Sequence, residues 1–333
     1  MSDSSSIKKP RLIADIGGTN ARFALLHNGS IKNNITLKGD DYPDFVSAYN
    51  DYLAKIDNPK VNNPEIKKPK ITEAAIAIAN PIDGDRIKMT NHDWAFSIEE
   101  SRLALGLERL IFKNDFAALA LSIPFLKPSD LQQIGGGNIK ESSPIGILGP
   151  GTGLGVSGLI QAGENRWLPI VGEGGHVSLS PSNKRESEIL EWCWQEYPHV
   201  SAERLVSGMG LQTIYHAINH LNGIDEQYVK PLLPQQISEK GLKQTDEICE
   251  EALDLFCGFL GTVAGNLALT LGAKGGIYIG GGIVPKLGDY FEKSVFRQKF
   301  EDKGRFTDYL KEIPVFVIHA KYPALIGISQ VFE

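Results

Sequence analysis

Three short stretches combine residue types that can do chemistry. Asp15-Ile16-Gly17-Gly18-Thr19-Asn20 follows one apolar run, Gly149-Pro150-Gly151-Thr152-Gly153 a second, and Gly280-Gly281-Gly282 a third. A single glycine turn ordinarily serves geometry, because glycine takes positive φ without steric cost. Three of them, each directly after an apolar strand-like run, carry more information than one. A polyphosphate needs backbone N–H groups that it can approach without a Cβ in the way, and adjacent glycines supply them. Thr19 and Thr152 add hydroxyl donors. Asp15, ahead of the first turn, is placed to hold Mg²⁺ directly or through water, so that carboxylate, cation and phosphate form one charge-balanced set. The pattern is neither GxGxxG opening a helix nor GxxxxGK[ST], so the dinucleotide-binding and Walker motifs do not apply.

Phosphoryl transfer to a hydroxyl also needs a base within reach of the hydroxyl proton. Asp115 is the candidate: in RLIFKND (109–115) it sits where an apolar strand ends and a helix starts, the edge at which open α/β sheets bind ligands. By position alone, Asn114 or Asp115 could equally be the cap of that helix. Glu173 and His176 in GEGGHV are separated by two glycines, whose sharp turn can aim a carboxylate and an imidazole, both fixed and planar hydrogen-bond partners for a sugar, at one cavity. A metal pair is the other reading, without a third ligand cluster nearby. Glu203, after Ser201, suits a first helical turn where it favours the dipole. Ser207 and Gly208 open the next helix and suit nucleotide or phosphate, or a plain serine cap.

The elements that must position these residues follow from periodicity. Strands from Arg11 meander through a turn at Asn28-Gly29, the strongest short hairpin signal. A helix is predicted over 42–56, an exposed proline- and lysine-rich loop over 57–70, buried strands over 73–80 and 109–115, and a helix that Pro124 stops. The stretch 144–160 repeats the opening strand, glycine turn and strand: at an offset of 134, Asp15 falls on Gly149 and Gly17 on Gly151, an internal duplication. Helices follow over 184–197, 210–221 and 246–271, and strands over 276–284 and 314–320.

With 333 residues, two domains are expected; 42% apolar and 22% charged residues make an ordinary globular balance. The net charge of -6 and the lack of basic runs longer than Lys8-Lys9 and Lys67-Lys68 argue against a nucleic-acid partner. Cys193, Cys249 and Cys257 are scattered and odd in number, which suggests reduced thiols and a cytoplasmic protein. The polar lead over 1–10 lacks a signal-peptide core, and no run of about 18 apolar residues is seen, so no membrane partner is expected.

Taken together, Asp15-x-Gly17-Gly18-Thr19-Asn20, the second Gly-Thr-Gly hairpin and the late triple-glycine turn resemble the sugar kinase, heat-shock ATPase and actin superfamily. Within it the chain closely resembles the bacterial-type glucokinases, almost end to end: ADIGGTNARFALL, MTNHDWAF, KNDFAALAL, GPGTGLGV, GEGGHV, HVSAERLVSG, GNLAL, GGGIVP and FEDKGRF. The resemblance implies a two-domain α/β fold of the ribonuclease H-like (actin-like ATPase) type, with a small domain over 1–122 plus 318–333 and a large one over 123–317. It implies ATP-dependent phosphorylation of glucose to glucose 6-phosphate, with Asp115 accepting the C6 hydroxyl proton and Asn114, Asp115, Glu173, His176 and Glu203 contacting sugar. ATP with Mg²⁺ would lie across Gly17, Gly18, Thr19, Asn20, Gly151, Thr152, Gly153, Gly281 and Gly282, with Ser207 and Gly208 nearby, and the chain would form a homodimer. The CxCGxxGC zinc cluster of the sister family of sugar kinases and repressors is absent, and only about ten polar residues precede the first hairpin, too few for that group's helix-turn-helix. Met209 stands where relatives commonly have Pro. The phosphate features do not separate glucose from another hexose, and a non-catalytic sugar sensor would bind glucose without ATP turnover.

Overall fold

The computed structural model describes residues 9–57, 70–90, 92–164 and 166–332. The expected loop over 57–70, but for its ends, and most of the polar lead lie outside them, as does Asn91 of MTNHDWAF. The chain divides into two compact units, Met1–Leu126 with Lys321–Glu333, and Lys127–Ala320.

In the first unit β1 (Arg11–Ile16), β2 (Asn20–His27) and β3 (Ser30–Lys38) form the expected meander. Asn28 and Gly29 turn β2 into β3 with φ of 49° and 71°, the paired positive angles that match a tight hairpin turn to the strand twist. α1 (Phe45–Ile56) starts at Phe45 rather than Tyr42, because the Asp44 carboxylate accepts from Ser47 N–H and the Ser47 hydroxyl accepts from Asp44 N–H. The cap, not the apolar face, sets the helix start. β4 (Glu73–Ile78) is followed by a small hairpin of β5 (Arg86–Lys88) and β6 (Ala95–Ser97), then α2 (Ile98–Ala104), β7 (Arg109–Asn114) and α3 (Asp115–Ser122).

The sheet order is β3-β2-β1-β4-β7, with β1, β4 and β7 mutually parallel. Leu12, Ala14, Ile16, Ala74, Ile76 and Ile78 face one core with Phe45, Tyr49, Tyr52 and Trp94. The alternate residues Ile13, Ala75 and Ala77 face Ala118 of α3 and Leu325 and Ile328 of the C-terminal helix Pro323–Ser329. Burial on both faces is why these strands read as continuous apolar runs.

The second unit repeats this plan. Its sheet contains β8 (Leu131–Ile134), β9 (Ile145–Pro150), β10 (Leu154–Gln161) and β11 (Trp167–Val171). Helices α4 (Lys184–Glu196), α5 (Ala202–Leu205), α6 (Gly208–Leu221), α7 (Pro234–Leu242) and α8 (Glu247–Leu271) precede β12 (Ile277–Ile279). Short helices α9 (Val284–Leu287), α10 (Asp289–Lys293), α11 (Phe296–Glu301) and α12 (Thr307–Lys311) lead to β13 (Val315–Ile318). The order is β11-β10-β9-β12-β13-β8, and its first five strands reproduce the directions of the first sheet: two antiparallel pairings, then two parallel ones. β9 and β10 are β1 and β2 displaced by the offset of 134. The second hairpin closes one residue sooner: Ile16 faces Ala21, whereas Pro150 faces Leu154.

Two expectations change. The strand predicted over 276–284 is only Ile277–Ile279, because the three glycines leave the sheet and Val284 starts a helix. An apolar segment of membrane-spanning length does occur: α8, with 25 residues, is long and apolar enough by composition. It is mostly buried, with Phe256, Phe259 and Leu260 fully enclosed in the core of its unit, so its apolar surface is used in packing.

Candidate active site

In the first unit the glycine turn and the Asn114–Asp115 pair emerge from one sheet edge. The parallel register sets Ile16 beside Ile78 and Ile78 beside Asn114. Two strand spacings separate them, about 10 Å. Asn114 is the helix cap: its Oδ1 accepts from Phe116 N–H at 2.9 Å and Ala117 N–H at 3.2 Å. Its amide NH₂ remains a donor for a hydroxyl. Asp115, half-buried, takes the first helical position, where its Oδ1 accepts from Phe116 N–H at 2.9 Å. Capping therefore falls to Asn114, and Asp115 is not needed for it.

Asp15 lies opposite Arg22, whose guanidinium donates to Oδ2 at 3.1 Å. Burial pushes the Asp15 carboxyl above the usual carboxylate range, and the Arg22 charge opposes that rise. Among the described residues no group of three or more His, Cys, Asp or Glu side chains could hold a metal ion. A single carboxylate at the mouth of a glycine turn still fits Mg²⁺, which keeps waters and is held by one or two carboxylates together with substrate phosphates.

The glycine turns are partly self-satisfied. Gly17 N–H donates to Asn20 C=O at 2.9 Å, and Gly151 N–H to Gly153 C=O at 2.8 Å. The N–H groups of Gly18 and Thr19 in the first turn, and of Thr152 and Gly153 in the second, take no part in these closures, and both threonines are exposed. The third turn packs backbone to backbone on the second. Gly281 has φ of 79°, and a Cβ there would overlap Pro150 C=O; a Cβ on Gly149 would stand 2.7 Å from the Gly280 carbonyl carbon.

The second and third turns open into a pocket of about 370 Å³. Gly151, Thr152, Gly208 and Gly282 form its polar end, Met209, Leu211, Pro234, Leu242, Ile283 and Leu287 its apolar walls, and Gln235, Ser238 and Lys286 complete it. A flat base with phosphates attached matches that division. The apolar walls come from α6, α7 and the start of α9, and in the sequence they read as ordinary helix faces; the exposed Met209 is the one local sign of them. Gly208 N–H donates to Gly151 C=O at 2.9 Å, joining α6 to the hairpin. Ser207 is buried and caps α6, accepting from Gly210 N–H at 3.0 Å, so its hydroxyl does not line the pocket.

Glu173 and His176 bracket a single helical turn, Gly174–His176, and both are exposed. The two glycines let this turn press on β10: a Cβ on Gly175 would overlap Leu154 C=O, and one on Gly174 would stand 2.8 Å from Val156. Glu203 occupies the first turn of α5 behind the Ser201 cap, as expected. Its Oε2 also accepts from Leu154 N–H at 2.8 Å, which no sequence pattern indicated. The structure thus gathers Glu173, His176, Glu203 and the Gly151–Gly153 turn around the start of β10.

A family model described as Glucokinase matches residues 12–333. A glucokinase of Aromatoleum aromaticum is 49% identical, over 97% of this chain and 95% of its own. One of Chromobacterium violaceum is 48% identical over 96% and 88%. The crystal structure of a glucokinase from an Antarctic psychrotroph superposes with a TM-score of 0.83 at 35% identity, covering 97% of this chain and 98% of that one. The repeated sheets are accordingly those of the two-domain ribonuclease H-like, actin-like ATPase fold. The motif residues, the duplicated hairpin and these near full-length matches agree that the chain belongs to the glucokinase family.

Proposed function

We infer that the protein transfers the γ-phosphoryl group of ATP to the C6 hydroxyl of glucose, releasing glucose 6-phosphate and ADP. The observation that carries this is the near full-length identity of about half to glucokinases. Asp115 takes the proton as O6 bonds to the γ-phosphorus and the bond to the β–γ bridging oxygen breaks. The Asn114 amide and Glu173, His176 and Glu203 hold the other hydroxyls. The pocket takes the nucleoside, and Gly18, Thr19, Thr152 and Gly153 N–H groups take the phosphates. Mg²⁺, bound by Asp15 and the phosphates, would neutralise charge between them. Kinship also supports a homodimer, and buried unpaired cysteines support a reducing cytoplasm.

Glucose-dependent ADP production from ATP tests the reading, run beside fructose, mannose and N-acetyl sugars. Glucose is expected to give the highest kcat/KM by at least about tenfold, the scale of one well-read hydroxyl. Turnover independent of sugar, or a preference for another hexose, overturns it.

A further inference from the structure

A sugar hydroxyl would engage one oxygen of Glu203, yet the other is already committed. Oε2 accepts from Leu154 N–H at 2.8 Å, at the exit of the Gly151–Gly153 turn. The turn is shaped around this carboxylate: a Cβ on Gly153 would overlap Oε2. The same turn is closed by Gly151 N–H to Gly153 C=O, and tied to α6 by Gly208 N–H to Gly151 C=O. On the other side, the segment leading into Glu203 is laced to the sugar turn's continuation by Ala202 N–H to Val177 C=O at 2.8 Å and Leu179 N–H to Val200 C=O at 3.1 Å. One half-buried carboxylate therefore joins the sugar turn to the wall of the nucleotide pocket.

Resting on the sugar and nucleotide assignments above, we propose that Glu203 is also a positioning residue whose Oε2 holds the Gly151–Gly153 turn in its phosphate-binding shape. Nucleotide affinity then depends on this carboxylate even without sugar. Sugar bound at Oε1 fixes the side chain and so strengthens nucleotide binding, and by linkage nucleotide strengthens sugar binding.

The test is ADP binding to the full chain by calorimetry, with and without glucose, for wild type, Glu203→Ala, Glu203→Asp and Glu203→Gln. Alanine removes the acceptor, aspartate is one methylene short of it, and glutamine keeps an acceptor oxygen at the same reach. Without sugar, the alanine and aspartate variants are expected to bind ADP about five- to tenfold more weakly, the scale of one net hydrogen bond. Glu203→Gln should stay within about threefold. Sugar-free ADP affinity unchanged in both shortened variants overturns the positioning role, as does a glutamine variant as weak as alanine. If Glu203→Ala is poorly folded, aspartate against glutamine makes the same comparison. Weakened ADP binding with undiminished glucose affinity would uphold the positioning role and remove Glu203 from the sugar contacts, so the two assignments fail separately.

Discussion

Asn114 and Asp115 share out two roles that position alone could not separate. Asn114 Oδ1 covers two N–H groups of α3, so capping does not depend on the carboxylate beside it, which is the proposed general base. Asp115→Asn should lower kcat by about a hundred- to ten-thousandfold, the usual contribution of a general base, with glucose affinity nearly kept. A coupled assay within a few-fold of wild type would end the assignment. Glu173→Ala and His176→Ala should each raise the glucose KM about tenfold or more while the ATP KM stays put, checked by varying each substrate in turn. Asp15 has the opposite balance of stability and function. Its folded pKa is raised, so the fold disfavours the ionised form, which Arg22 or a bound cation would stabilise. Asp15→Asn should leave the melting temperature of the unliganded protein equal or higher, and abolish the further rise that wild type shows with Mg²⁺ and ADP. A large drop without ligand would show that the Arg22 pair is structural instead. Residue types and motifs exposed these side chains in the sequence. The bond from Glu203 to Leu154 spans 49 residues and depends on two elements meeting, so no local pattern could carry it.

At the scale of elements, glycine turns were legible because a strand period breaking into adjacent glycines is a local signal, and the second hairpin stood out by its fixed offset from the first. The pocket proposed for the nucleotide was not, because its walls are single faces of α6, α7 and α9 whose apolar residues look like core until the helices are in place. The start of α1 departs from the apolar period for a related reason: the Asp44–Ser47 cap competes with that period and wins. The two kinds of glycine make different predictions. Gly149 is a packing glycine, with the Gly280 backbone where its Cβ would be, and Gly149→Ala should destabilise the protein by about 1–3 kcal/mol, the typical cost of overpacking. Gly282 has nothing within 4 Å of its Cβ position but lines the pocket, so Gly282→Ala should melt as wild type does and bind ADP more weakly. Thermal melts and ADP titrations of the two variants, side by side, check this. Equal melting temperatures would mean that the close approach of the two turns is not a constraint on the fold.

For the molecule as a whole, the repeated strand order shows two copies of one plan, and the cysteines show how the core of the second is closed. The scattered thiols read from the sequence as reduced, but their burial depends on tertiary packing: all three are fully enclosed, Cys193 on α4, Cys249 and Cys257 on α8. Burial is the main cause pushing each thiol from its ordinary value near 9 up to about 12. The folded protein should therefore leave all three unmodified by a thiol-specific disulfide reagent at pH 8, and react fully once unfolded. The same shifts set a pH dependence. A thiol whose folded pKa lies above its unfolded value contributes fully below pH 9, where both states hold the proton. Between about 9 and 12 the unfolded chain ionises while the folded one does not, so stability falls as pH rises, by about 1.4 kcal/mol per pH unit for each suppressed ionisation. Tyr278, also pushed up to about 12 by burial, adds to the fall above pH 10. Urea midpoints at pH 8, 9 and 10 should fall slightly over the first step, where the unfolded thiols begin to ionise, and clearly more over the second. A midpoint unchanged at pH 10, or thiols that react in the folded protein, would mean that the second unit opens around α8 far more readily than its packing implies.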